Sequence, residues 1–146
     1  MRELPRQLSA EELAELFEGR TRFVERLARE DDPLVRARSL VHELSYDEKQ
    51  EVLDAHPAIG RRDGLSARSA AEQGGDQDPE VLAELERLNR EYEARHGFRF
   101  VVFVNRRPKR EIVPILRARI GRTREEELAT ALDELVSIAE DRWRRG

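Results

Sequence analysis

Residues 98–104 read Phe-Arg-Phe-Val-Val-Phe-Val, the most apolar stretch of a 146-residue chain. Three of the five phenylalanines lie in it. By propensity this is a buried β-strand. A strand needs a ladder partner for its amides and carbonyls. No second β-rich run exists in the chain. The stretch therefore predicts extended or partly helical chain threading a core, its backbone groups satisfied by side chains or a ligand. The fold around it is expected to be all-α: a single compact multi-helix domain over residues 1–146, of about eight helices, with an extended apolar segment near 98–104.

The helix starts are legible on either side of that segment. Ser9 is followed three residues later by Glu12, Ser45 by Glu48 and Thr123 by Glu126. Each is a capping box, in which hydroxyl and carboxylate satisfy orphan amides at a helix start. Asp32-Pro33 and Asp78-Pro79 mark two more starts, with proline where it loses no hydrogen bond. Gly97 and Gly121 read as stops. Together these signals predict helices near 10–18, 20–30, 33–43, 46–54, 66–73, 79–96, 109–120 and 124–144. Val81, Leu85, Leu88 and Tyr92 share one face of the sixth, and Leu128, Leu132, Leu135 and Ile138 one face of the last.

Charged residues make up 40% of the chain, yet the net charge is only −4. Regular apolar spacing argues against disorder. The charge belongs instead on the outer faces of helices around a thin core. The absence of cysteine excludes a disulfide framework, a zinc finger, an iron–sulfur cluster and a thiol nucleophile. No apolar run reaches the roughly 18 residues of a membrane span, so no membrane partner is expected. The opening MRELPRQLSAEEL lacks the apolar region of a signal peptide, and the closing WRRG is not a peroxisomal address. A cytoplasmic protein is expected. The acidic balance argues against nucleic acid as a partner.

Among chemically capable residues, His42 and His96 sit near helix ends, where capping of terminal carbonyls accounts for them. His56 lies past a helix end, in a loop over 55–66 punctuated by Pro57, Gly60 and Gly64. Pro57 biases His56 to an extended backbone. No histidine pair stands at metal-ligand spacing, so no metal site is expected. Glu72, within Ser69-Ala70-Ala71-Glu72-Gln73, is placed to orient or charge-tune a histidine, or is a solvated glutamate. Arg142 lies seven residues after Leu135 and fourteen after Leu128, on the apolar stripe of the last helix. An arginine there needs a carboxylate partner or must snorkel out. Asn89 sits on an apolar face and reads as a core hydrogen-bonding residue.

Taken in order, Ala55-His56-Pro57-Ala58-Ile59-Gly60, Ser69-Ala70-Ala71-Glu72-Gln73, Leu88-Asn89-Arg90-Glu91-Tyr92, Gly97-Phe98-Arg99-Phe100, Glu127-Leu128 and Ile138 to Arg142 form a pattern. The chain resembles the OHCU decarboxylase family over about residues 9–143. That resemblance implies an all-helical enzyme without a cofactor, often a homodimer. The implied reaction converts the small molecule 2-oxo-4-hydroxy-4-carboxy-5-ureidoimidazoline to (S)-allantoin, late in urate degradation. It implies His56 as the catalytic histidine, with Glu72 beside it. Substrate-binding positions fall by resemblance on Pro57, Ser69, Ala70, Ala71, Glu72, Gln73, Phe100, Val101, Val102, Phe103, Val104 and Arg142. The sequence departs from the family at Ala58-Ile59, where many members carry Asp-Leu-Ala, and at Arg99, where proline is common.

Two other readings compete. One keeps the fold and changes the substrate to another ureido or carboxylated heterocycle. The other is a non-enzymatic helical interaction module, with a basic patch of Arg61, Arg62, Arg68, Arg106, Arg107, Lys109 and Arg110. The ordinary account of such runs is a solvated face.

Overall fold

The computed structural model describes residues 3–59 and 78–145. Seven helices occur among them: α1 (Ala10–Phe17), α2 (Arg22–Leu27), α3 (Pro33–Glu43), α4 (Tyr46–Asp54), α5 (Pro79–His96), α6 (Lys109–Ile120) and α7 (Arg124–Arg145). No strand is present among the described residues. The helix expected at 66–73 lies outside them, as do Ser69, Ala70, Ala71, Glu72 and Gln73.

The capping signals form as expected. Ser9 and Ser45 each close a capping box with Glu12 and Glu48. Thr123 does the same, donating its backbone N–H to Glu126 while its hydroxyl receives the Glu126 N–H. Asp78 caps α5 through the Glu80 N–H. Asp32 departs from expectation. It takes a left-handed φ of 52° and its side chain caps nothing, so Pro33 alone marks that start. The second helix is shorter than expected at both ends: Thr21 accepts the Val24 N–H and starts it at Arg22, and past Ala28 the Arg29 and Glu30 N–H groups donate to the Arg26 and Leu27 carbonyls in turns. Gly97 ends α5 at φ 84°, a conformation that glycine adopts without a Cβ penalty. Gly121 ends α6 in the right-handed region instead.

The helices enclose one apolar core. Leu13, Phe17, Phe23, Leu27, Leu53, Leu85, Tyr92, Ile112, Leu116, Leu132 and Leu135 are fully shielded from solvent. The helix α5 packs along α6, while α7 lies against α1 and α3. Fully burying one such aliphatic side chain is worth about 1.5–3 kcal/mol, so the thin core is adequate because it is continuous through every helix.

The segment over 98–104 runs through this core as neither helix nor strand, with no ladder. Its backbone is held by side chains, as the lone apolar run predicted. The Arg99 N–H donates to Asp54 Oδ1 at 3.0 Å and the Phe103 N–H to Glu134 Oε1 at 3.3 Å. The Val101 carbonyl accepts from Arg119 Nη1 at 2.9 Å. The Phe103 and Val104 carbonyls accept from the Arg107 guanidinium. Arg119 is itself buried and paired with Glu127 Oε1 at 2.8 Å, the oxygen that also accepts the Tyr92 hydroxyl at 2.6 Å. Arg122 holds the other Glu127 oxygen. The Arg119 guanidinium lies 4.6 Å above the Phe100 ring, which meets Tyr92 in a T-shaped contact. A buried carboxylate with this many donors is stable where an isolated one is not.

Candidate active site

The helix α4 ends at Asp54, Ala55 caps it, and His56 follows. The His56 N–H still donates to the Leu53 carbonyl, so the histidine leaves the helix on its last turn. Two side chains pin the loop beyond. Arg99 Nη1 donates to the His56 carbonyl at 2.6 Å and to the Asp54 carbonyl at 3.3 Å. Asn89 Nδ2 donates to the Ile59 carbonyl at 3.0 Å, which fulfils the core hydrogen-bonding role expected of it. Arg99 is in turn held by Glu93 at 3.1 Å. The arginine that departs from the family pattern thus ties the apolar segment to the histidine loop.

Opposite this loop, Arg142 reaches in from α7. It is 2% exposed, in keeping with its place on the apolar stripe, and it does not snorkel. Its Nη1 donates to the Leu16 carbonyl at 3.1 Å and the Glu15 carbonyl at 3.3 Å, and its Nη2 to Glu18 at 2.8 Å. The partner that such an arginine needs is therefore the end of α1.

A pocket of about 470 Å3, its open mouth included, separates the two. It is lined by His56, Pro57 and Ile59, by the whole run from Phe100 to Val104, and by Ile138 and Arg142. His56, Pro57, Phe100, Val101, Val102, Phe103, Val104 and Arg142 were all singled out from the sequence, and the fold gathers them around one cavity. Ile59 and Ile138 were not singled out as site residues; each is apolar and carries no chemical signature. Glu72 and its neighbours lie outside the described residues.

The electrostatics of the pocket are marked. His56 is buried, and its Nε2 has no hydrogen-bond partner among the described residues. Burial drives its pKa from 6.5 to about 3, with the Arg142 charge acting in the same direction, Glu18 opposing it and Arg99 adding to it. The imidazole is therefore neutral at physiological pH. An unprotonated ring beside a guanidinium suits an anionic ligand, whose charge restores a proton affinity that burial removes.

The other histidines take structural posts. His96 Nε2 meets the Arg119 carbonyl at 3.2 Å, near the end of α6. His42 differs from expectation: its Nε2 meets Asp133 Oδ1 at 2.8 Å rather than a helix-terminal carbonyl. Of the basic patch, Arg61, Arg62 and Arg68 lie outside the described residues. Arg107 folds back onto the Phe103 and Val104 carbonyls, and Lys109 is buried. No helix among the described residues is long and apolar enough to cross a membrane.

Comparison with known proteins agrees with this geometry. The model of the family described as OHCU decarboxylase matches residues 2–144. Relatives named 2-oxo-4-hydroxy-4-carboxy-5-ureidoimidazoline decarboxylase include one from Haloferax volcanii, 32% identical over 104 residues, covering 68% of this chain and 62% of that protein. Another, from Halalkalicoccus jeotgali, is 33% identical over 103 residues, covering 68% and 58%. The alignments thus span about three fifths of these relatives' length. Among solved structures, the crystal structure of an OHCU decarboxylase in the presence of (S)-allantoin superimposes with a TM-score of 0.75. It is 21% identical, over 92% of this chain and 96% of that one. The structure of an (S)-allantoin synthase gives 0.67 at 24% identity, over 93% of this chain and 48% of that one. At those identities the likeness concerns the fold. With the family model spanning nearly its full length, the chain belongs to the OHCU decarboxylase family.

Proposed function

We propose that this protein decarboxylates 2-oxo-4-hydroxy-4-carboxy-5-ureidoimidazoline to (S)-allantoin, a late step of urate degradation. The observation that carries the reading is the buried His56, whose Nε2 meets no partner among the described residues, on the same pocket as the Arg142 guanidinium, in a chain of this family.

The chemistry follows from that pair. Breaking the bond to the carboxylate releases CO2 and leaves an electron pair on the ring carbon. The conjugated ring of this substrate delocalises that pair itself. Arg142 binds the carboxylate or a ring carbonyl, and the apolar wall from Phe100 to Val104 excludes water and fixes the ring. His56 enters the cycle neutral, not as a ready acid. The anionic substrate raises its proton affinity, the imidazole takes up a proton, and it delivers that proton to one face of the carbanionic carbon. Delivery from one side accounts for a single enantiomer.

Glu72 completes the reading by orienting His56 or binding the ureido group, and Ser69, Ala70, Ala71 and Gln73 contact ring and ureido heteroatoms. These roles rest on the resemblance, as does a homodimer; a cytoplasmic setting is the reading of the sequence signals alone. Pro57 keeps the loop extended so that the imidazole faces the cavity.

The test generates the unstable substrate in situ from urate and follows circular dichroism. Wild-type protein should produce optically active allantoin faster than the spontaneous reaction, and His56→Ala should return to the spontaneous rate. Racemic allantoin at the spontaneous rate with wild-type protein overturns the reading.

A further inference from the structure

Glu18 ends α1 against backbone preference, with φ at 64°. The left-handed residue that closes a helix is ordinarily glycine, which has no Cβ to clash there. A glycine stands next to it, yet Gly19 is not a left-handed residue. The side chain supplies the reason for glutamate. Glu18 Oε1 accepts from Arg142 Nη2 at 2.8 Å, and the two side chains are only 12% and 2% exposed. The Leu16 and Glu15 carbonyls take the other terminal nitrogen. One helix end thus presents three acceptors to one guanidinium, and that guanidinium lines the pocket.

We propose that Glu18 is a positioning residue, which locks the Arg142 guanidinium in one orientation in the pocket wall where the substrate carboxylate meets it. The encounter with the carboxylate rests on the decarboxylase reading above; the locking of Arg142 does not. The αL turn aims the Glu18 side chain back toward α7, and burial protects the pair from screening by salt. A planar guanidinium binds a carboxylate best when its fork is already oriented. Glu18 also partly offsets the Arg142 charge at His56.

The test uses Glu18→Gln and Glu18→Gly in the full-length protein, with Glu11→Gln on the same helix as an exposed control. Stereospecific turnover, thermal unfolding and the 15N spectrum of the Arg142 guanidinium are measured. Glu18→Gln is expected to raise KM about tenfold with kcat within about twofold, the loss of one charge-assisted contact. Glu18→Gly relieves the left-handed strain, so it should unfold no lower than Glu18→Gln while its KM rises as much. In the wild type and in Glu11→Gln, the Arg142 terminal nitrogens should give resolved signals from restricted rotation; in both Glu18 variants these should average. A KM that is unchanged, or that recovers in Glu18→Gly along with stability, overturns the proposal. If wild-type protein yields no optically active allantoin, the decarboxylase reading fails and the guanidinium spectrum decides alone. Averaged signals in the Glu18 variants then support the locking, and resolved signals overturn it.

Discussion

The Arg99 guanidinium donates to the His56 backbone carbonyl at 2.6 Å, so a residue of the apolar segment sets the position of the histidine loop across the pocket. Arg99 touches no reacting group. It acts through the backbone it holds, and its replacement by alanine should lower kcat by about tenfold while KM moves less, the signature of a misplaced group. Arg99→Lys keeps the charge but loses the fork and should fall between. Steady-state kinetics on the three proteins check this.

The depressed His56 pKa has a consequence for stability. In the unfolded chain this histidine protonates near 6.5; in the fold it stays neutral down to about 3. Below pH 6.5 the unfolded state binds the extra proton, so stability is fully present above that pH and is lost as pH falls toward 3. The slope from this one group approaches about 1.4 kcal/mol per pH unit. The capping carboxylates Glu48 and Glu126, whose pKa values are lowered by their serine and threonine partners, lose their contribution only below the ordinary 4.5. Urea unfolding of wild type and His56→Gln between pH 6.5 and 5 therefore isolates the histidine by difference. Wild-type stability should fall across that window, and His56→Gln should flatten the curve.

The buried Glu127 is the anchor of the pocket wall. Glu127→Gln leaves Arg119 buried without its counter-charge, which should cost about 3–5 kcal/mol. Tyr92→Phe removes a single hydrogen bond to a charged group and should cost about 2 kcal/mol. Chemical denaturation measures both, and equal costs would contradict the arrangement described.

Ile138 faces the cavity without any polar role. Ile138→Phe should fill the space where the ring binds. Stereospecific turnover should drop by at least about tenfold while thermal stability is kept or rises, because filling a cavity adds contacts without removing any. A loss of activity accompanied by an equal loss of stability would point to damage in the core instead.

Much of this was readable in advance because its causes are local. Ser9, Ser45 and Thr123 satisfy amides three residues away, so adjacent letters settle those helix starts. The apolar run at 98–104 announced a segment without a ladder because a missing strand partner is visible in a single chain. Arg142 was legible from its register with Leu128 and Leu135. What escaped notice depends on contacts across long separations. Nothing near Glu18 in sequence signals Arg142, and nothing near Arg119 signals the Val101 carbonyl. Arg99 did carry a hint: an ion between two phenylalanines needs partners, though not named ones. Asp32 shows the converse, since a favourable letter loses its capping role once the chain turns left-handed there.

The wall from Phe98 to Val104 is tethered by side chains from α4, α6 and α7 and by the turn that follows it, with no neighbouring strand to keep in step. In a β-sheet, a change of one wall residue disturbs register along the whole ladder. Here Asp54, Glu134, Arg107 and Arg119 hold the main chain by its amides and carbonyls, so a change of the Val101, Val102 or Phe103 side chain removes none of these bonds. A change at one wall residue therefore alters the shape of the pocket without shifting a strand register.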